Sequence, residues 1–181
     1  MLKNHIGIFL IVFSGIILLL GLFRKKNNYI DLRNVFLEHF KIFKHSRIQF
    51  ILFYIITFIM AIGIALVYIA DSNLYENIIV AMSIFVSMLM SMLSVIKSKN
   101  YSEFTEDQKT RVKLVIKETD NQVMYCTFLS IFIIMFSLIM IALSSFENCI
   151  FSLITSIIEY YLTEILLLNI LLIVKRLGKL I

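Results

Sequence analysis

Two glutamates, Glu159 and Glu164, stand inside "SIIEYYLTEILLLNIL" (156–171), a run that is otherwise mostly apolar. A carboxyl group in such a setting can take up a proton, hold a cation or hydrogen-bond to a neighbouring helix. Ionised at mid-bilayer, the pair would together cost roughly 5–7 kcal/mol on an insertion scale. The sixteen Ile, Leu, Phe and Val residues of 150–174 return about 0.3–0.6 kcal/mol each. Insertion is therefore near balance, and each carboxyl needs a hydroxyl, a proton or water beside it. At ~100° per residue, Ser152, Ser156, Glu159 and Thr163 share one narrow polar stripe, whereas Glu164 points elsewhere, beside Tyr160 or Tyr161. Glu159 is thus expected to be the functional carboxylate and Glu164 a structural one.

Other chemistry-bearing residues are sparse. His5, His39 and His45 fall outside the apolar runs, and no serine or cysteine has a base at a plausible spacing, which disfavours nucleophilic catalysis. Arg33 and His39 have an Arg-x5-His spacing used by HEPN ribonucleases, but that fold is a soluble bundle of a hundred or so residues and only 24–47 are free here. Cys126 and Cys149 lie at opposite ends of one apolar run, too far apart for a disulfide. Met82, Met88, Met90 and Met92 have no histidine or cysteine among them and read as apolar filler, so no metal site and no cofactor are expected.

The elements that must carry these residues are membrane spans. Of 181 residues, 60% are hydrophobic and none is proline or tryptophan, and the mean hydropathy is +0.94. Soluble domains hold about 45–50% apolar residues; here the excess gathers at 6–23, 48–70, 77–96, 122–143 and 150–174. Each run approaches the ~20 residues that cross a bilayer as helix. The expectation is a single all-α membrane domain, a polytopic bundle of five spans.

Basic residues set its orientation. The connection 24–47 holds seven, 97–121 holds six and the tail three, leaving Lys3 alone on the other side, while "DSNLYE" (71–76) and "SSFEN" (144–148) hold acids and no base. The amino terminus is expected outside and the carboxyl terminus inside. "RKK" follows the first apolar run without a small-residue cleavage site, so that run is read as a retained anchor rather than a signal peptide. The cell's inner (plasma) membrane is the implied location.

Little mass is left outside the cell, so a sizeable partner must meet the inner face. There "YIDLRNVFLEHFKIFKHSR" (29–47) places Leu32, Val35, Phe36, Phe40 and Phe43 on one helical face, opposite Asp31, Asn34, Glu38, Lys41 and His45. It reads as an interfacial amphipathic helix, with Arg33, Lys41, Lys44 and Arg47 placed to meet lipid headgroups or a protein partner. In 97–121, Thr105 and Gln108 have capping-box spacing, so the fourth span is expected to begin as a helical extension. Its five acids nearly cancel its six bases, which argues against direct nucleic-acid binding.

Stripes of small residues point to close helix contacts. Ser83, Ser87, Ser91 and Ser94 line one side of the third span, as packing surface or as pore lining, and Ser130, Ser137 and Ser144 repeat every seven residues on the fourth. Gly7, Ser14 and Gly21 do so on the first. Polar faces on several spans exceed what one bundle needs for closure, so a homo-oligomer is expected. Two functions fit. One is a non-enzymatic membrane anchor or sensor that assembles with itself and recruits a cytoplasmic effector through 24–47 and 97–121. The other is an oligomeric pore or ion channel with Glu159 in its wall.

The anchor ending in "RKK", the stretch "YIDLRNVFLEHFKIFKHSRIQFILFYIITFIMAIG" and the small outer mass resemble small multi-spanning proteins of bacterial antiphage loci. These include the membrane subunit of the Kiwa system and accessory membrane proteins of some RNA-targeting CRISPR systems. The resemblance implies a membrane component that works with a soluble effector. It rests on layout, and no site residue is taken from it.

Overall fold

The computed structural model describes residues 13–14, 32–43, 47–98, 106–143 and 149–178. The expected first span lies outside them except for Phe13 and Ser14, which are helical. Among the described residues the chain is all-helical, as the proline-free apolar runs require. Helix α1 is Leu32–Phe43. Helix α2 covers 47–67, with α-helical Arg47–Phe50, a π-helical stretch Ile51–Ile56 and α-helical Thr57–Val67. Helices α3 (Ser72–Ser98), α4 (Glu106–Leu143) and α5 (Cys149–Leu177) follow.

Among the described residues three helices are long and apolar enough to cross a membrane, at Ser72–Val95, Leu114–Leu143 and Cys149–Arg176; the apolar part of α2, Phe53–Val67, is shorter. At 1.5 Å per residue α4 is about 57 Å long, nearly twice a ~30 Å hydrocarbon core, so its Glu106 end extends well past its apolar part.

Packing runs in the order α3, α4, α5, α2, with α1 laid against α4 and the start of α2. Three polar pairs hold α4 and α5 antiparallel in one register: Glu118 with Arg176, Gln122 with Asn169 and Ser137 with Glu159. The first pair marks a basic end, where α1 also sits. The opposite end, here the turn end, holds the link between α2 and α3.

That link lies earlier than the sequence pattern suggests. "DSNLYE" reads as a turn, but helix α3 already begins at Ser72 because Asp71 caps it, its Oδ1 accepting from Leu74 N at 2.9 Å. The extended backbone falls instead on 68–71, with Tyr68 at φ −141° and ψ 111°.

The distribution of polarity is inverted relative to a soluble protein. Val67, Ile84, Leu171 and many other large apolar side chains are exposed, while His39, Gln122, Ser137, Ser156, Glu159 and Asn169 are fully buried. Apolar side chains fill the gaps between them: Met82 and Leu89 from α3, Val123, Leu129 and Ile133 from α4, Leu166 and Ile173 from α5. Such an arrangement is stable where the surroundings are hydrocarbon and polar groups must find partners inside.

Candidate functional site

The α5 stripe faces the interior of the chain's own bundle. Ser156 and Glu159 have no exposed surface, and Ser152 and Thr163 are half-buried. Each member has a distinct role. Ser156 donates to Ser152 O at 2.7 Å and accepts from Ala70 N at 2.9 Å, so it satisfies an amide of the non-helical link. Tyr160 OH, one turn further along α5, donates to Tyr68 O at 3.1 Å and serves the same link. Buried backbone outside a helix needs such partners, because it has no ladder to satisfy it.

Glu159 meets Ser137, whose Oγ lies 2.6 Å from Glu159 Oε1 and 3.0 Å from Ile133 O. Its second oxygen, Oε2, is buried without a hydrogen-bond partner, as is Thr163 Oγ1. Glu164 does not join this site. It is half-buried with both carboxyl oxygens unpartnered, and neither Tyr160 nor Tyr161 hydrogen-bonds to it. Tyr160 instead turns its hydroxyl to the link, and the ring of Tyr161 packs edge-on against Phe58 of α2.

Above Glu159, at the turn end, lies a cavity of about 220 Å³ lined by Asp71, Tyr75, Met140, Ser152 and Thr155 among others. Tyr75 of α3 and Thr155 of α5 face each other across this cavity's lining. Thr155 hydrogen-bonds the carbonyls of Phe151 and Ser152.

A second polar cluster holds the basic end. The His39 ring stacks on Tyr125 with centroids 3.7 Å apart and planes at 4°, and its Nε2 lies 3.2 Å from the Tyr54 hydroxyl. Phe36 meets the edge of the same Tyr125 ring at 5.2 Å. Burial, aided by the Arg176 charge, pushes the His39 imidazole from 6.5 down to about 4. Tyr54 lies in the π-helical stretch of α2, a widened turn of the kind that often marks functional sites.

Ser83, Ser87, Ser91 and Ser94 occupy the outer side of α3, all exposed. Ser83, Ser87 and Ser94 donate to the carbonyls four residues back, at 2.8, 3.1 and 3.2 Å. Among the described residues the stripe makes no hydrogen bond to another helix. Arg33, Lys41 and Arg47 lie on helices but their side chains fall outside the described residues, as does Lys44 altogether. Both Cys126 and Cys149 are free thiols. Among the described residues no His, Cys, Asp and Glu side chains gather in a group that could hold a metal ion.

Sequence reasoning missed the pair Gln122 and Asn169, whose Nε2 and Oδ1 lie 3.3 Å apart in the α4–α5 interface. An amide inside "LLLNILL" was the available signal. It also set His39 aside, although His39 lies seven residues after Leu32 on the apolar face of α1.

No family model matches the chain, and no curated protein and no solved structure matches it.

Proposed function

We propose that this chain is a non-enzymatic, multi-pass subunit of the plasma membrane that assembles with itself and holds a cytoplasmic effector, as membrane components of bacterial antiphage loci do. The observation that carries the reading is the attachment of α1. A helix with exposed Leu37 and Phe40 is fixed to the bundle through the fully buried His39, beside an α4 that extends past its apolar part. Both features lie at the basic end, which the partition of Lys and Arg assigns to the cytoplasm. The exposed serine face of α3 is the surface left for a second copy. A pore wall containing Glu159 would require that carboxyl to leave an interface in which it is fully buried and hydrogen-bonded; the anchor reading requires no such rearrangement.

The test is recovery of a soluble partner from native cells with the intact chain and with Lys41→Glu, Lys44→Glu and Arg47→Glu combined. Loss of the partner from a variant that remains in the membrane supports the reading; identical recovery, or none from either, sinks it. Single cysteines at Ser72 and Ser98 should react with an impermeant reagent from outside only at Ser72.

A further inference from the structure

We propose that Glu159 is a proton-binding site loaded from the turn-end cavity and sealed from the basic end, so that the protein takes up and releases a proton without conducting it. Three observations converge on it. The first is the hydrogen-bond arithmetic at Ser137. Its hydroxyl has one proton but two acceptors in reach, Glu159 Oε1 at 2.6 Å and Ile133 O at 3.0 Å. With the carboxylate ionised, Ser137 donates to Glu159. With the carboxyl protonated, Glu159 donates to Ser137, and Ser137 turns its own proton to Ile133 O. A rotation of one hydroxyl serves both states, so neither leaves the serine unsatisfied.

The second observation is access. Thr155 lines the cavity and precedes Glu159 by one turn, about 6 Å of helix rise. Tyr75 lines the same cavity, and Ser156 lies between Thr155 and Glu159 along α5. A hydronium ion in the cavity gives its proton to the carboxylate and leaves as water; release is the reverse. The third is closure on the other side. Beyond Thr163 the α4–α5 interface is filled by Ile133, Leu166 and Leu129, with the buried Ser130 hydroxyl turned back to Cys126 O of its own helix, before the next polar pair, Gln122 and Asn169.

A bound metal cation fits less well than a proton. Ser156 already donates to Ser152 O and accepts from Ala70 N, which leaves the carboxyl as the main free oxygen donor where a cation needs about six. The ionisable groups around Glu159 are few. The link contributes Tyr68 and Asp71, α3 contributes Tyr75, and α5 contributes Tyr160, Tyr161 and Glu164; Thr57–Val67 of α2 and residues 126–143 of α4 carry no charged side chain. The site does not depend on what docks at the basic end.

Infrared difference spectra of the full chain in lipid nanodiscs, recorded across an acid titration in H₂O and D₂O, test the proposal. A protonated-carboxyl band that shifts in D₂O, vanishes in Glu159→Gln and survives in Glu164→Gln is expected. Ser137→Ala, which keeps the carboxyl, should move its midpoint at least threefold in proton concentration. In a Cys149→Ser background, a bulky maleimide on Thr155→Cys should slow its exchange at least tenfold, while proton flux into vesicles stays at the level of empty lipid. A band indifferent to Glu159→Gln overturns the site, and an unmoved midpoint in Ser137→Ala does so even if the glutamine variant fails to fold. Exchange unaffected by the blocked cavity overturns the route, Glu159-dependent flux makes the protein a conductor, and a midpoint displaced by replacing choline with sodium makes the ligand a cation.

Discussion

The chain carries two hydroxyl stripes of similar spacing, and they have opposite fates. On α3, Ser83, Ser87, Ser91 and Ser94 face outward, and three of them are seen bonded to their own helix. On α5, Ser156 and Glu159 are fully buried and bonded to other elements, the α2–α3 link and α4. Serines of both stripes return protons to their own helices, so the difference lies in the carboxyl and the backbone amide that only the α5 stripe must serve. A serine can return its proton to the carbonyl one turn back and then sit against lipid at little cost. A carboxyl cannot do this, and neither can an amide of non-helical backbone, so both draw a neighbouring helix over them.

The largest effect should come from emptying the apolar packing that seals this seam. Leu166→Ala, at a fully buried position of α5, should destabilise by about 2–5 kcal/mol through lost contacts and a residual cavity. Leu171→Ala, 64% exposed on the same helix, should stay within about 0.5 kcal/mol. Reversible unfolding in bicelles measures both, and equal losses would show that the two faces of α5 are not distinguished as the packing requires.

The basic end sharpens the same contrast with a group that titrates. Docked, His39 is neutral because burial and Arg176 oppose its charge, with its value lowered from 6.5 to about 4. The undocked helix binds a proton more readily, so docking of α1 is at full strength above pH 6.5 and weakens as pH falls from there toward 4. The loss reaches about 3 kcal/mol at the lower limit. The opening free energy of α1, from amide exchange divided by the intrinsic rate at each pH, should fall as pH is lowered across that window in the intact chain and stay constant in His39→Phe, which keeps the stack on Tyr125.

The sequence made the helical class, the apolar runs and the shared stripe on α5 legible, because helical periodicity depends only on the order of residues. What each face meets depends on neighbours far along the chain. Ser137 and Glu159 are 22 residues apart, Gln122 and Asn169 are 47, and Ala70 and Ser156 are 86. The serine face of α3 reads as packing surface or pore lining because its period suits close approach, and the sequence alone does not say that α4 takes another face, where Met82 and Leu89 are buried. His39 was hidden for a different reason: a histidine on an apolar face reads as polar until a tyrosine ring and hydroxyl supply its partners.

The smallest effect is the one that decides the comparison between the stripes. Ser156→Ala removes the acceptor of the buried Ala70 amide and should destabilise by about 1–3 kcal/mol. The α3 counterpart, Ser87→Ala, removes a hydroxyl whose bond is to Ser83 O within one helix. That carbonyl keeps its place in the helical ladder, and alanine has the higher helix propensity, so the change should stay within about 0.5 kcal/mol of zero. The same unfolding measurement, made at a protein concentration low enough to hold the chain monomeric, separates the two. If Ser87→Ala costs as much as Ser156→Ala there, the backbone amide served by the α5 stripe does not account for the two fates. If Ser87→Ala is neutral in the monomer but Ser87→Leu abolishes assembly at high concentration, the outward stripe is the seam between copies.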